Sequence, residues 1–256
     1  LGLMNKTWAW AHNTADPGDN MISQLVDPIK VVDTIIPTAI KEPMPGIYVV
    51  DAGRNLAGWA ELKVKGKAGT KITLKFGETL YENGLVNQEN LRNAKATDTY
   101  ILKGEGVERW HPSFTYHGFR YIQIEGFPYR PQTGDIIVHV VRSAVAQTGK
   151  FSCSNKLLND IHQMIVNTEA SNLHSIPTDC PQRDERMGWL NDLTTRIEQA
   201  IYNFDMSRFY PKFIDDIADT QENDGSITDV APFRFGMRPA DPVCASYLLL
   251  AWKCYE

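Results

Sequence analysis

The heptapeptide Trp59-Ala60-Glu61-Leu62-Lys63-Val64-Lys65 alternates apolar with charged side chains along most of its length. Because successive side chains of a β-strand point to opposite faces of the sheet, this alternation predicts a strand with one buried and one solvated face. Gly, Pro and Asn residues punctuate the surrounding sequence without an intervening helical pattern, which indicates an antiparallel β-sandwich. Further strands are predicted at residues 71–76, 99–102, 119–124 and 136–141.

From Gly149 onward the apolar residues recur at the spacing of a helix instead. A first helix is predicted after Ser154, which is expected to be its N-cap, and a later helix is predicted to start near residues 247–252. Two amphipathic stripes mark the helices between Gly149 and that point: Leu157, Leu158, Ile161 and Ile165, followed by Tyr210, Phe213, Ile214 and Ile217.

The change of period divides the chain into a β part and a helical part, with the boundary between Arg142 and Gly149. We expect residues 41–145 to form the β-sandwich domain and residues 146–256 to form the helical one. Residues 1–40 fit neither pattern, and we expect them to be a linker or the tail of a preceding domain.

Composition narrows the classes of function. The 256 residues include 26 basic and 31 acidic side chains, a net charge of −5 without any basic run, which argues against nucleic acid or an anionic membrane as a partner. No nucleotide-binding, serine-hydrolase or zinc-binding motif occurs, so no cofactor and no metal site are predicted. The cysteines form no CxxC pair and are expected to be free thiols. Compartment and oligomeric state stay open.

The most concentrated chemistry lies in Asp179-Cys180-Pro181-Gln182-Arg183-Asp184-Glu185-Arg186-Met187-Gly188-Trp189-Leu190-Asn191-Asp192. Carboxylates, arginines and a tryptophan in one short segment suit a pocket that grips a sugar and protonates it. A solvated loop also tolerates many charges, although it rarely includes a tryptophan. On composition alone, the two interpretations are evenly balanced.

This segment resembles the hallmark of the bacterial α-L-rhamnosidases of glycoside hydrolase family 78, which reads Asp-Cys-Pro-Gln-Arg-Asp-Glu-Arg, one residue, Gly-Trp, two residues, Asp. Met187 stands where leucine is usual, and Leu190-Asn191 where Thr-Gly is common. The resemblance covers roughly residues 40–256. Further similar motifs occur in the family's order at residues 51–59, 89–92, 96–100, 114–121, 149–155 and 224–226.

The resemblance implies a β-sandwich followed by the first helices of an (α/α)6 barrel, which needs more chain than is present. It also implies an inverting glycosidase that removes terminal α-L-rhamnose, with Glu185 as general acid. The general base would be a glutamate beyond Glu256, so we expect this piece to be inactive alone. The alternatives are a non-catalytic carbohydrate-binding or structural β-sandwich module, or an inverting (α/α)6 glycosidase for another sugar.

The resemblance further implies a rhamnose subsite. Asp179, Arg183 and Asp192 match positions that hydrogen-bond the rhamnose hydroxyls, and Trp189 matches the tryptophan that stacks on the apolar face of this 6-deoxy sugar.

Four of the five candidate residues also have a structural alternative. Glu185 can form a surface salt bridge with Arg186, Asp179 an Asx-type turn into Pro181, and Asp192 an N-cap of a helix over residues 193–201. Trp189 can instead belong to the core.

Overall fold

The computed structural model describes residues 10–15, 18, 23–37 and 39–256. The strands are β1 Ile29–Ile35, β2 Ile40–Met44, β3 Ile47–Val64, β4 Lys71–Gly77, β5 Thr79–Leu80, β6 Val86–Asn87, β7 Thr97–Ile101, β8 Glu108–Trp110, β9 His117–Glu125, β10 Ile136–Ser143, β11 Leu173–His174 and β12 Ile176–Pro177. The helices are α1 Lys156–Ser171, α2 Leu190–Asn203, α3 Phe209–Ala218 and α4 Ser246–Tyr255, with 3₁₀ turns at Glu89–Leu91 and Thr133–Asp135.

An antiparallel sheet forms the first half of the molecule, which we call the β-sandwich (β1 to β10). Its order is β1-β10-β3-β9-β4-β7, with β2 and β8 paired to the long strand β3, while β5 and β6 pair with each other in a separate two-stranded sheet. The register of β3 against β9 shifts between Asp51 and Leu56, with Gly53 at φ 82° inside the irregularity. A bulge of this kind bends a strand. β3 pairs with β9 on both sides of the bend, and the curled sheet encloses one core.

The core of the β-sandwich follows from the period-two patterns. In β4, the buried side chains Ile72, Leu74 and Phe76 alternate with the more exposed Lys71, Thr73 and Lys75. Each buried side chain of this size stabilises the fold by about 1.5–3 kcal/mol relative to an exposed one. The predicted fold class and the five predicted strands are therefore confirmed.

One part of the segment predicted as a linker belongs to the sheet. Ile29–Ile35 pairs with β10 in antiparallel register, Ile29 opposite Ser143, and forms the edge strand β1. Its sequence carries no clean alternation, because an edge strand leaves most of its side chains exposed. Residues 1–9, 16–17, 19–22 and 38 lie outside the described residues, and the division at residues 40 and 145 stays a prediction.

The second half, which we call the helical part (α1 to α4 with β11 and β12), has its own core. Helices α2, α3 and α4 pack together around fully buried Phe213 and Ile217 of α3, as the apolar stripe predicted. The first helix begins one residue later than predicted: Asn155, not Ser154, is the N-cap, and its side chain accepts a 2.9 Å hydrogen bond from the Leu157 N–H.

Two helical faces carry exposed apolar side chains. The side chains of the stripe predicted on α1, which runs from Leu157 to Ile165, are exposed. Leu248 and Trp252 of α4 are exposed as well. None of the helices in the described part of the chain has the length and apolar content that a membrane-spanning segment needs.

Candidate active site

The candidate acid lies on the loop between β12 and α2, residues 178–189, which we call the acid loop. Two hydrogen bonds close it: the Asp179 N–H donates to the Met187 carbonyl at 3.0 Å, and the Met187 N–H donates to Asp179 Oδ1 at 2.8 Å. A carboxylate that accepts a backbone N–H holds the loop in a fixed shape. The Asx-type turn considered for Asp179 is therefore wrong, because its oxygen binds a residue far along the loop.

Glu185 lies at the far side of this loop, with 17% of its side chain exposed. Its Oε2 atom accepts a hydrogen bond from Arg92 NH1 at 3.0 Å and forms an ion pair with Arg183 NH2 at 2.7 Å. Arg183 belongs to the acid loop, whereas Arg92 comes from the β-sandwich. Neither of these contacts uses Oε1, which leaves that oxygen available to carry a proton.

Arg186 does not pair with Glu185, so that salt bridge, the structural alternative for Glu185, is wrong. Its backbone adopts φ 53°, and its NH1 and Nε groups donate to the carbonyls of Tyr116 and Arg183 at 2.9 and 3.1 Å. Its guanidinium also stacks 4.3 Å from the centre of the Tyr116 ring, a favourable cation–π contact. Arg186 thus fastens the acid loop to the β-sandwich.

Two further titratable groups lie beside the candidate acid. Ligand atoms of Asp179, Cys180 and Glu185 lie within 4.8 Å of one another, the one such grouping found among the described residues. Burial raises the pKa of Asp179, and burial together with the neighbouring Asp179 raises the pKa of Cys180 to about 11. A thiol that stays protonated at neutral pH is a poor metal ligand. The predicted absence of a metal stays a prediction.

Trp189 and Asp192 lie where the acid loop meets α2. Trp189 forms an antiparallel β-bridge with Val230. The residue is half-buried, and its ring packs edge-to-face with that of Phe235, with ring centres 6.5 Å apart. It is also the N-cap residue of α2, so the structural alternative of Asp192 as the N-cap is wrong. Asp192 is exposed in the first helical turn, where the helix dipole favours a negative charge.

A cavity of about 310 Å³ opens at Glu185. Arg183 and Glu185 lie on its wall, whereas Asp179, Trp189 and Asp192 do not belong to the described lining. The opposite wall comes from the β-sandwich, at residues 94–96 and 115–117. The cavity therefore lies between the two halves of the molecule.

Family models match both halves of the chain. Residues 41–142 match the bacterial α-L-rhamnosidase concanavalin-like domain, and residues 146–256 match the 6-hairpin glycosidase domain of the same proteins. The chain belongs to the bacterial α-L-rhamnosidase family. An α-L-rhamnosidase of Streptomyces avermitilis is 39% identical over 217 residues, which are 85% of this chain and 21% of that protein.

Solved α-L-rhamnosidase structures share the fold. The enzyme named from Dictyoglumus thermophilum superposes with a TM-score of 0.88 at 47% identity, over 90% of this chain and 26% of that one. The Streptomyces avermitilis α-L-rhamnosidase complexed with L-rhamnose gives a TM-score of 0.82 at 39% identity, over 84% and 21% of the two chains. The chain thus spans about a fifth to a quarter of the length of these relatives.

The sequence did not indicate the residues through which the β-sandwich contacts the acid loop. They are Arg92, Asn93, Tyr116 and Gly118. The Asn93 N–H donates to Asp184 Oδ2 at 3.2 Å, and a Cβ on Gly118 would lie 2.7 Å from the backbone of Pro181 and Gln182. Three of the four stand in family-like motifs, but nothing in those motifs indicates a partner some sixty to ninety positions away.

Asp229 supports the start of α2, directly after the acid loop. Its carbonyl accepts from the Leu190 N–H at 2.9 Å, and its buried Oδ1 accepts from the Met237 N–H at 2.9 Å. The side chain is therefore engaged in holding the 229–237 loop against the start of α2.

Proposed function

We propose that the protein containing this chain is an α-L-rhamnosidase that removes terminal rhamnose from glycans or glycosides with inversion, and that Glu185 is its general acid. The observation that carries the proposal is the position of Glu185. Glu185 lines the cavity, and two arginines contact one of its carboxylate oxygens and not the other. Membership of the rhamnosidase family supports the sugar and the reaction type.

In this mechanism, Glu185 donates a proton to the glycosidic oxygen as the bond to the anomeric carbon breaks. A second carboxylate removes a proton from the attacking water on the opposite face of the sugar. In inverting enzymes the two carboxyl groups are roughly 6.5–9.5 Å apart, which leaves room for that water. Asp179 lies within 4.8 Å of Glu185 and is tied to the Met187 N–H, so it does not suit the role of base.

We assign Asp179, Arg183, Trp189 and Asp192 to the rhamnose subsite. Arg183 lines the cavity, and a guanidinium can donate to hydroxyl oxygens of the sugar. Asp192 is exposed and offers two acceptor oxygens at the start of α2. The half-buried ring of Trp189 supplies an aromatic surface that suits the methyl group and C–H face of rhamnose.

The test is the substitution Glu185→Gln in the longer protein that contains this chain. We expect kcat for an alkyl rhamnoside to fall by about 10²- to 10⁴-fold, because the amide cannot supply the proton, while KM changes little. Steady-state kinetics measures both constants.

The matched control for this test is Glu61→Gln. Glu61 also has 17% of its side chain exposed and also pairs with an arginine at 3.0 Å, but it lies on β3 away from the cavity. Unchanged turnover in Glu185→Gln would remove Glu185 from the acid role. Lack of rhamnoside hydrolysis by the unsubstituted protein would refute the proposed function itself.

A further inference from the structure

Arg92 has an unusual backbone for an arginine. It follows the 3₁₀ turn Glu89–Leu91, whose Leu91 is fully buried in the β-sandwich core, and it adopts φ 56° and ψ −119°. A residue with a Cβ pays a conformational cost in the left-handed region, and such positions persist where surrounding contacts determine them. The contacts of Arg92 are therefore informative.

Those contacts are with the acid loop. Arg92 NH1 lies 3.0 Å from Glu185 Oε2, and the N–H of the next residue, Asn93, donates to Asp184 Oδ2 at 3.2 Å. Two consecutive residues of the β-sandwich thus bind two consecutive carboxylates of the acid loop. The left-handed turn at Arg92 aims its side chain and the following N–H at the same partner segment.

Arg92 and Arg183 act on Glu185 from different supports. Arg183 is part of the acid loop itself. Arg92, in contrast, directly follows Leu91, whose side chain is buried in the close-packed core of the β-sandwich. Because both guanidiniums contact Oε2, the carboxyl group has one anchored oxygen and one, Oε1, that neither arginine contacts.

We propose that Arg92 is a positioning residue, supplied by the β-sandwich, that orients the carboxyl group of Glu185 so that Oε1 delivers the proton to the leaving oxygen. The β-sandwich is then part of the active site rather than a neighbouring module. This inference rests on the proposed function, since it assigns Arg92 a role through the general acid.

The experiment compares leaving groups in the longer protein. A dinitrophenyl rhamnoside departs with little help from an acid, whereas a methyl rhamnoside requires protonation. We expect Arg92→Ala to lower kcat/KM for the methyl rhamnoside by about tenfold or more, because a misplaced catalytic group is costly, and to alter that for the dinitrophenyl rhamnoside by less than about threefold. Arg92→Lys should recover part of the loss.

A second readout is the pH profile. Loss of a positive charge beside the proton donor should move the alkaline limb of the kcat profile of Arg92→Ala to higher pH. Arg109→Ala is the matched control, because Arg109 pairs with Glu61 at 3.0 Å and is similarly exposed, and it should leave both readouts unchanged. Equal losses for the two rhamnosides, or an unmoved pH profile, would overturn the positioning role.

Failure of this inference can be separated from failure of the proposed function. In the 256-residue chain, melting temperatures of Arg92→Ala, Glu185→Ala and the double variant should be non-additive, since the two side chains are in contact. Additive effects would overturn the inference whatever the reaction is. Non-additive effects in a protein that hydrolyses no rhamnoside would instead refute the proposed function and leave the contact standing.

Discussion

At the scale of single residues, the side chains behind the acid loop matter as much as those on it. His174 of β11 is buried and stacks on Tyr116 with ring centres 3.8 Å apart, and Arg186 stacks on the same tyrosine. Burial, together with the positive charges of Arg186 and Arg142, lowers the pKa of His174 to about 4. A neutral imidazole can therefore lie close to two arginines.

The low pKa of His174 predicts a stability that depends on pH. The unfolded chain takes up the proton near pH 6.5 and the folded chain only near pH 4, so acidification between these values favours unfolding. The free energy of unfolding should fall by up to about 3 kcal/mol over that range. Urea titrations at pH 7 and pH 4.5 measure this change.

His174→Phe is the control, since it keeps a ring against Tyr116 and cannot titrate. Half-buried Asp179 and buried Glu169, whose pKa values are raised by burial, act in the opposite direction in both proteins and cancel in the comparison. An identical pH dependence of the two proteins would show that His174 does not contribute.

At the scale of elements, strand β9 sets the position of the acid loop. Gly118 lies near its start, where any side chain would meet the backbone of Pro181 and Gln182. The strand itself was predicted from the Gly, Pro and Asn residues that punctuate the sequence around it, and α3 from its apolar stripe. The close approach of β9 to the acid loop could not be predicted, because a contact between two backbones produces no periodic pattern in the sequence of either segment.

Gly118→Ala is expected to weaken this junction. The new Cβ would lie 2.7 Å from backbone atoms that cannot rotate away, so we expect a loss of about 1–3 kcal/mol of stability and a displaced acid loop. Thermal unfolding measures the first effect, and rhamnoside kinetics in the longer protein the second. Gly134→Ala provides the comparison, because nothing lies within 4 Å of its Cβ position. Similar effects of the two substitutions would contradict the proposed contact.

At the scale of the whole molecule, the protein has two hydrophobic cores, and the acid loop lies between the two halves that contain them. One core lies inside the β-sandwich and the other among α2, α3 and α4, and the cavity at Glu185 takes its walls from both halves. Arg54 adds a second connection, since its NH1 donates to Asn167 of α1 at 3.1 Å. The arrangement joins the candidate acid to a rigid sheet.

We expect the 256-residue chain by itself not to hydrolyse rhamnosides. We assign the role of base to no carboxylate of this chain, because the family resemblance implies a base beyond Glu256. Release of nitrophenol from nitrophenyl α-L-rhamnoside by the purified chain measures this, with the longer protein as positive control. Enzyme-dependent release by the chain would show that its own residues provide the second carboxylate.

The sequence alone determined the two periodicities, the family and the identity of the charged segment, because these depend on residue types at fixed local spacing. It left open which charges pair. Glu185 stands next to Arg186 in the chain, yet it binds Arg92, 93 positions away, while Arg186 stacks on Tyr116. Only the tertiary structure decided this, because ion pairs depend on distances in space, and those are set when the sheet and the helices pack their apolar faces.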